Sequence, residues 1–207
     1  LKKQWARKAS FLKKEKDITD EQLFLDRAGI YAEFGKVVVI GLGYFHEEAG
    51  ELQLRTKALY GDDENELLLQ FKKLLSKMAP DVRLCAHNGK EFDFPYLSRR
   101  MLINGIALPT ALNLSGKKPW EVNHLDTMDM WKFGDWKNYT SLDLLATIFD
   151  IESSKTDMDG SMVNAVYHEQ NDLEKIAKYC NQDVVVTAKL YTKLLTLELP
   201  EIKIIES

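Results

Sequence analysis

Two groupings in this 207-residue chain carry residue types that can do chemistry. The first is His87-Asn88-Gly89-Lys90-Glu91-Phe92-Asp93-Phe94-Pro95-Tyr96-Leu97, which follows a short apolar run and leads into a helical pattern. The Asn-x-x-x-Phe-Asp spacing puts Asp93 near the carboxyl end of a strand, where α/β folds keep their ligands. An acid there can hold a hard divalent cation, which prefers oxygen donors. A plain helix cap is the alternative, and Pro95 suits a first helical turn. The second grouping is Tyr179-Cys180-Asn181-Gln182-Asp183-Val184 within a long helical stretch. Residues four apart on a helix share a face, with Cβ atoms roughly 6 Å apart. A carboxylate beside a phenol suits hydrolysis: the acid binds a metal and the phenol positions or helps activate a water. A core-facing Tyr179 with a solvent-facing Asp183 is the alternative.

Other polar residues read more weakly. In His-Leu-Asp-Thr, His124 suits an approach to the site and Asp126 suits action from its strand end, but structural hydrogen bonding explains both more simply. Lys117, Lys118, Lys132 and Lys137 suit a phosphate track or a solvated loop equally. Of the four tryptophans, Trp5 and Trp131 read as packing, while Trp120 and Trp136 lie in loops with lysines and suit base stacking.

The elements that must position these residues follow from periodicity and punctuation. A basic helix is expected over 2–16, with Trp5, Ala9 and Leu12 on one stripe. Thr19 with Gln22 forms a capping box for a short helix ending at Gly29. Lys36–Phe45 and Glu51–Leu59 read as a hairpin. Asp62 or Asp63 caps a helix to Met78, Val82–Ala86 is a strand, and Phe92–Asn104 is a helix. His124–Met128 is a strand, Thr140 or Ser141 opens a helix ending near Phe149, and 152–161 is a polar loop. Met162–His168 is a short helix, and Asp172 caps a long one to Leu197. This order makes an α/β chain whose early strands pair as a hairpin and whose later strands alternate with helices.

Composition sets the class. The chain is 45% apolar and 29% charged, ordinary for a globular domain. At this length it buries roughly 70% of its unfolded surface and needs no staples. The longest apolar run, Val37 to Leu42, is far short of a membrane span. The basic, polar start has no apolar signal-peptide core. Cys85 and Cys180 are expected to be reduced, buried thiols of a cytoplasmic protein. The net charge of −4 excludes a polycation that coats nucleic acid, although Lys and Arg supply seven of the first sixteen residues, most simply as a solvated helix face.

The two groupings together resemble the second and third motifs of the DEDD exonucleases, in the Tyr-bearing subclass. The chain is most similar to the predicted 3′–5′ exonuclease family related to the proofreading domain of family B DNA polymerases. The resemblance runs through Ala28–Lys36, Asn88–Leu97, Arg99–Gly105, Gly116–Trp120, His124–Thr127 and Tyr179–Val184. It implies a ribonuclease H-like mixed sheet with helices on both faces, in one domain: a helical segment 1–30, a core 31–197 and a tail 198–207. It implies Asp93 and Asp183 as ligands for two Mg²⁺ or Mn²⁺ ions and Tyr179 as the residue that orients the attacking water. Asn88 and Phe92 fall where such enzymes meet the 3′-terminal nucleotide. The reaction would hydrolyse 3′-terminal phosphodiesters of single-stranded DNA or RNA. A catalytically silent nucleic-acid-binding module, or a protein-interaction domain, is the rival.

One departure stands out. The family's first motif, Asp-x-Glu on the central strand, matches nothing suitable here. Asp62/Glu64, Asp150/Glu152 and Asp172/Glu174 have the spacing, but they lie at helix ends. Leu23-Phe24-Leu25-Asp26 looks like the strand but has Ala28 where Glu is needed. The expectation is that this strand lies upstream of Leu1 and that residues 1–207 alone are an inactive or impaired exonuclease. An exposed sheet edge would then invite another strand, either the tail Glu201–Ile205 or a second copy of the chain.

Overall fold

In the computed structural model, which describes residues 1–12, 18–135, 137–152, 158–197 and 201–206, a hairpin organises everything that follows. Strands β1 (Val39–Glu48) and β2 (Glu51–Tyr60) pair antiparallel from Val39↔Tyr60 to Glu48↔Glu51. Ala49 and Gly50, at φ 54° and 82°, make the left-handed two-residue turn that matches strand twist. Alternation then sorts the side chains. Ile40 and Leu42 face one way, into a core with Leu59, with Leu67, Leu68 and Phe71 of α3 (Glu64–Leu75), and with Phe94 and Met101 of α4 (Asp93–Ile103). Gly41 and Gly43 face the other way, toward the long helix α8 (Leu173–Thr196).

Those two glycines set how close α8 can come. A Cβ on Gly41 would sit 2.8 Å from the Cys180 carbonyl oxygen, and one on Gly43 would sit 2.9 Å from Val184 Cγ1. Both contacts flank Asp183, so the absence of side chains on β1 holds the Tyr179/Asp183 stretch hard against the sheet. Helices therefore cover both faces, and the chain has the ribonuclease H-like α/β architecture expected of it.

The remaining strands are short. β3 (Cys85–Ala86) pairs parallel with β4 (Leu125–Asp126). Among the described residues these two form a sheet separate from that of β1 and β2. Leu84 and Ala86 nevertheless pack into the same core as Ile40 and Leu42. β1 and β3 thus share one core layer without sharing hydrogen bonds, which leaves an unpaired interval, or slot, between the two sheets. The tail does not enter that slot. β5 (Lys203–Glu206) pairs parallel with the far edge of β2, Gln53↔Lys203 to Thr56↔Glu206. β2 is therefore the middle strand of its sheet, and Lys203 reaches Glu51 beside the tail pairing at 3.5 Å. Cys85, expected to be buried, is exposed; both cysteines are free thiols.

Local signals decide most boundaries. Asp63, Ser141 and Asp172 each accept an N3 backbone N–H to open α3, α6 (Leu142–Ile148) and α8. The Thr19/Gln22 capping box opens α2 (Asp20–Arg27). The basic helix α1 is described over Lys2–Phe11; Lys13, Lys14 and Lys16 lie outside the described residues. The His124–Met128 strand is cut to Leu125–Asp126, because Asp126 caps α5 (Thr127–Lys132). The Met162–His168 helix is a single turn, α7 (Val163–Ala165), running into a π turn over Val166–Gln170.

One buried ionic network ties the core to the N-terminal segment. Arg100 of α4 donates from Nε to Glu64 at 2.8 Å, pairs its terminal nitrogen with the same carboxylate, and gives Ala32 its other. Glu64 also accepts from the Val37 amide at 2.7 Å and from Asn104 at 3.0 Å. Burial pushes the Glu64 carboxyl up, but those donors outweigh it and the net direction is down. Among the described residues no helix is long and apolar enough to cross a membrane.

Candidate active site

Asp93 is the first residue of α4, with Phe92 as the N-cap residue, so its side chain is not the cap that sequence allows. The residue as a whole is exposed, yet its carboxyl group is largely surrounded by protein. Desolvation comes first in raising its carboxyl, and the charges of Asp126 and Asp183 add to it; the group is pushed up to about 6. A desolvated carboxyl with two anionic neighbours marks an electronegative pocket. The Asp183 charge, on α8, reaches Asp93 and is also felt by His87 and Cys180.

Tyr179, one turn before Asp183, hydrogen-bonds to the Asp183 side chain. Burial, the Asp183 charge and that bond all push the phenol above its ordinary range. It is therefore a protonated donor at neutral pH and not a base. Gly160 lies under it: a Cβ there would stand 3.8 Å from the hydroxyl. Met158, Ile176 and Val166 hold the ring from behind.

Asp126 is the residue whose role the sequence understates. It is buried at the end of β4. One carboxylate oxygen accepts the Asn88 amide at 2.8 Å and the Met128 amide at 2.9 Å, with Asp129 more distant at 3.4 Å. The other accepts the Lys90 amide at 3.0 Å. These bonds pin the 88–90 turn, in which Asn88 takes the left-handed φ of 63°. Gly89 fits there because a Cβ would collide with that of Ala86. The Asn88 side-chain amide donates from Nδ2 to the Tyr139 hydroxyl, a neighbour the motif did not predict. Phe92 is exposed at the mouth, with its ring 5.5 Å from that of Tyr96.

His87 sits under the pocket, with Nδ1 2.9 Å from the Thr127 hydroxyl and Nε2 2.9 Å from the Thr140 carbonyl. Burial dominates in lowering its value, so the ring is neutral; Nε2–H donates and Nδ1 accepts. His124 is structural: Nδ1 accepts the Leu84 amide at 3.2 Å and Nε2 donates to Ala111 at 2.7 Å. The stray Asp-x-Glu pairs are all spoken for or misplaced. Asp62 accepts from Tyr167, Glu64 holds Arg100, and Asp172 caps α8.

Residues 30–199 match the model of a predicted 3′–5′ exonuclease family related to the exonuclease domain of PolB. The chain belongs to that family. Relatives include DNA polymerase 1 of Pyrococcus abyssi, 26% identical over 184 residues, covering 80% of this chain and 23% of the polymerase. The DNA polymerase of Pyrococcus glycovorans is 25% identical over 187 residues. That of Pyrococcus horikoshii is 27% identical over 192, with 15% of its length covered. The chain thus spans about a quarter or less of the polymerases it matches. Family membership gives a PolB-like exonuclease domain whose substrate is nucleic acid. All of Asn88, Phe92, Asp93, Asp126, Tyr179 and Asp183 lie within the matched span.

The divalent ions that such a domain generally uses can be tested against these residues. Asp93 and Asp183 fit in kind: hard oxygen donors whose mutual repulsion a cation would relieve. They fall short in number. Among the described residues no group of three or more His, Cys, Asp or Glu side chains is placed to hold a metal. Asp126 spends its oxygens on backbone amides.

Proposed function

We propose that this domain is a metal-dependent 3′–5′ exonuclease that trims single-stranded DNA or RNA, with Asp93, Tyr179 and Asp183 as its catalytic residues. The observation that supports this reading is that the Asp183 charge raises the Asp93 carboxyl while Asp183 also holds the Tyr179 phenol in a hydrogen bond. Asp93 and Asp183 would hold Mg²⁺ or Mn²⁺, which supplies charge stabilisation and an acidified water when bound. Tyr179, a donor bonded to Asp183, orients the water without taking its proton. Asn88 and Phe92, presented by the turn that Asp126 pins, meet the sugar and base of the terminal nucleotide. A binding module without catalysis needs neither the acid pair nor the phenol.

Two carboxylates are too few for two ions, since Mg²⁺ sites lean on several oxygen ligands. We therefore also propose that residues 1–207 alone are impaired, and that a strand bearing Asp-x-Glu completes the site by filling the slot between β1 and β3. Residues i and i+2 of such a strand face the same side, toward Asp93 and Asp183. The same unpaired β1 edge is where a second copy of the chain would pair if the strand were absent.

The test of the catalytic assignment is a 5′-labelled single-stranded oligonucleotide digested with Mn²⁺ by a chain carrying that strand. A ladder shortening from the 3′ end is expected. Tyr179→Phe should slow it at least tenfold while leaving oligonucleotide affinity near that of the parent. Internal cleavage, or a Tyr179→Phe rate equal to the parent's, argues against the assignment.

A further inference from the structure

Trp120 is 76% exposed although it is the largest side-chain type. It is not loose: it lies in a single turn, Pro119–Glu121, whose entry is fixed by Glu121 accepting the Lys118 amide at 2.7 Å. Lys118 stands over the ring, with Nζ 5.2 Å from the centroid. Beside Trp120 an open recess of about 310 Å³ is lined by Lys90, Lys132, Asp129, Asp135 and Gly134. Phe133, next to Gly134, is 88% exposed and held at a left-handed φ of 46°. A bulky residue takes that conformation at a cost, yet here it presents an aromatic ring to water.

Two of the residues that line the recess tie it to the turn carrying Asn88. Lys90 belongs to the turn that Asp126 pins, two residues after Asn88. Lys132 pairs with Glu91 at 3.8 Å and stands 5.7 Å from the Tyr139 ring, whose hydroxyl Asn88 engages. The charges of the recess are mixed: Lys90 is already matched by Asp129 at 3.3 Å. A lining of both signs is poorly suited to a bare phosphate. It is well suited to a nucleobase, which stacks on an aromatic face and offers donors and acceptors along its edge.

We infer that Trp120 and its recess form a second nucleobase subsite, which stacks a base of the single strand behind the terminal nucleotide. The inference rests on the nuclease reading of the neighbouring pocket and adds a strand-holding site to it. Lys118 then neutralises the backbone phosphate beside the stacked base. Stacking on an aromatic face tolerates any base, so this site sets how firmly a strand is held and not which sequence is trimmed.

Fluorescence anisotropy with 5′-labelled oligothymidylates, chelator present, tests this. Trp120→Ala should weaken binding about 5- to 150-fold, and Trp120→Phe should recover most of the loss. An oligonucleotide with one abasic position, moved stepwise from the 3′ end, should lose affinity at one internal position. That loss should vanish in Trp120→Ala, because the stack is already gone. Undiminished binding by Trp120→Ala, or an abasic loss that Trp120→Ala leaves intact, overturns the subsite while leaving the catalytic reading standing. Failure of the parent chain to bind any single strand overturns both.

Discussion

Asp93 is a group the fold holds against its own electrostatic preference. Its carboxyl would ordinarily lose its proton near 3.8, but in the folded chain it keeps it to about 6. A raised folded value means that the unfolded chain ionises more easily. Stability is therefore fullest below the ordinary value and falls as pH rises through about 6. Asp93→Asn removes that penalty. Melting with chelator present should give a higher Tm for Asp93→Asn than for the parent at pH 8, and little difference at pH 4. Equal melting temperatures at pH 8 would mean that Asp93 is not under anionic strain. Such a trade of stability for function is common where charges are gathered for a ligand. The sequence made this acid legible because its motif spacing and strand context are local. It also gave Asp126 its hydrogen-bonding role but hid the partners, backbone amides of residues 88 and 90 nearly forty positions away, which nothing in His-Leu-Asp-Thr encodes. It likewise hid Glu64, which reads as an acid suited to a helix start and is in fact the buried partner of Arg100.

At the scale of elements, the site depends on how closely α8 approaches β1. Glycines in a strand interior usually weaken it, and two at alternate positions signal close backbone approach. Gly41→Ala should cost about 1–3 kcal/mol, because the contact it creates is with helix backbone and no flexible side chain can yield. The displaced helix carries Tyr179 and Asp183, so activity should fall further than stability does. Chemical denaturation and turnover measured on the same sample separate the two, and a Gly41→Ala chain with parental turnover would show that α8 is not positioned this way. The helices and the hairpin were legible because caps, turns and periodicity are written within each segment. Short β3 and β4 were overextended from sequence, since an apolar run fixes burial but only a neighbouring strand fixes the ladder. Cys85 fails as a buried thiol for a related reason: its strand is two residues long and borders the slot.

Over the whole molecule, one core spans two sheets that do not hydrogen-bond to each other. The tail meets the outer edge of β2, so it blunts one edge and leaves the other available. Trp136, a second stacking candidate in sequence, lies outside the described residues, and Trp120 alone represents that surface here. The most direct measurement compares Mn²⁺-dependent release of 5′-mononucleotides from a 3′-labelled single strand by three proteins. These are residues 1–207, the same chain extended by a strand carrying Asp-x-Glu, and that extended chain with Asp183→Asn. Release should appear in the extended chain, be absent or at least a hundredfold slower in residues 1–207, and drop by a similar factor in Asp183→Asn. Equal release by all three would contradict both the assignment of Asp183 and the completion of the site through the slot.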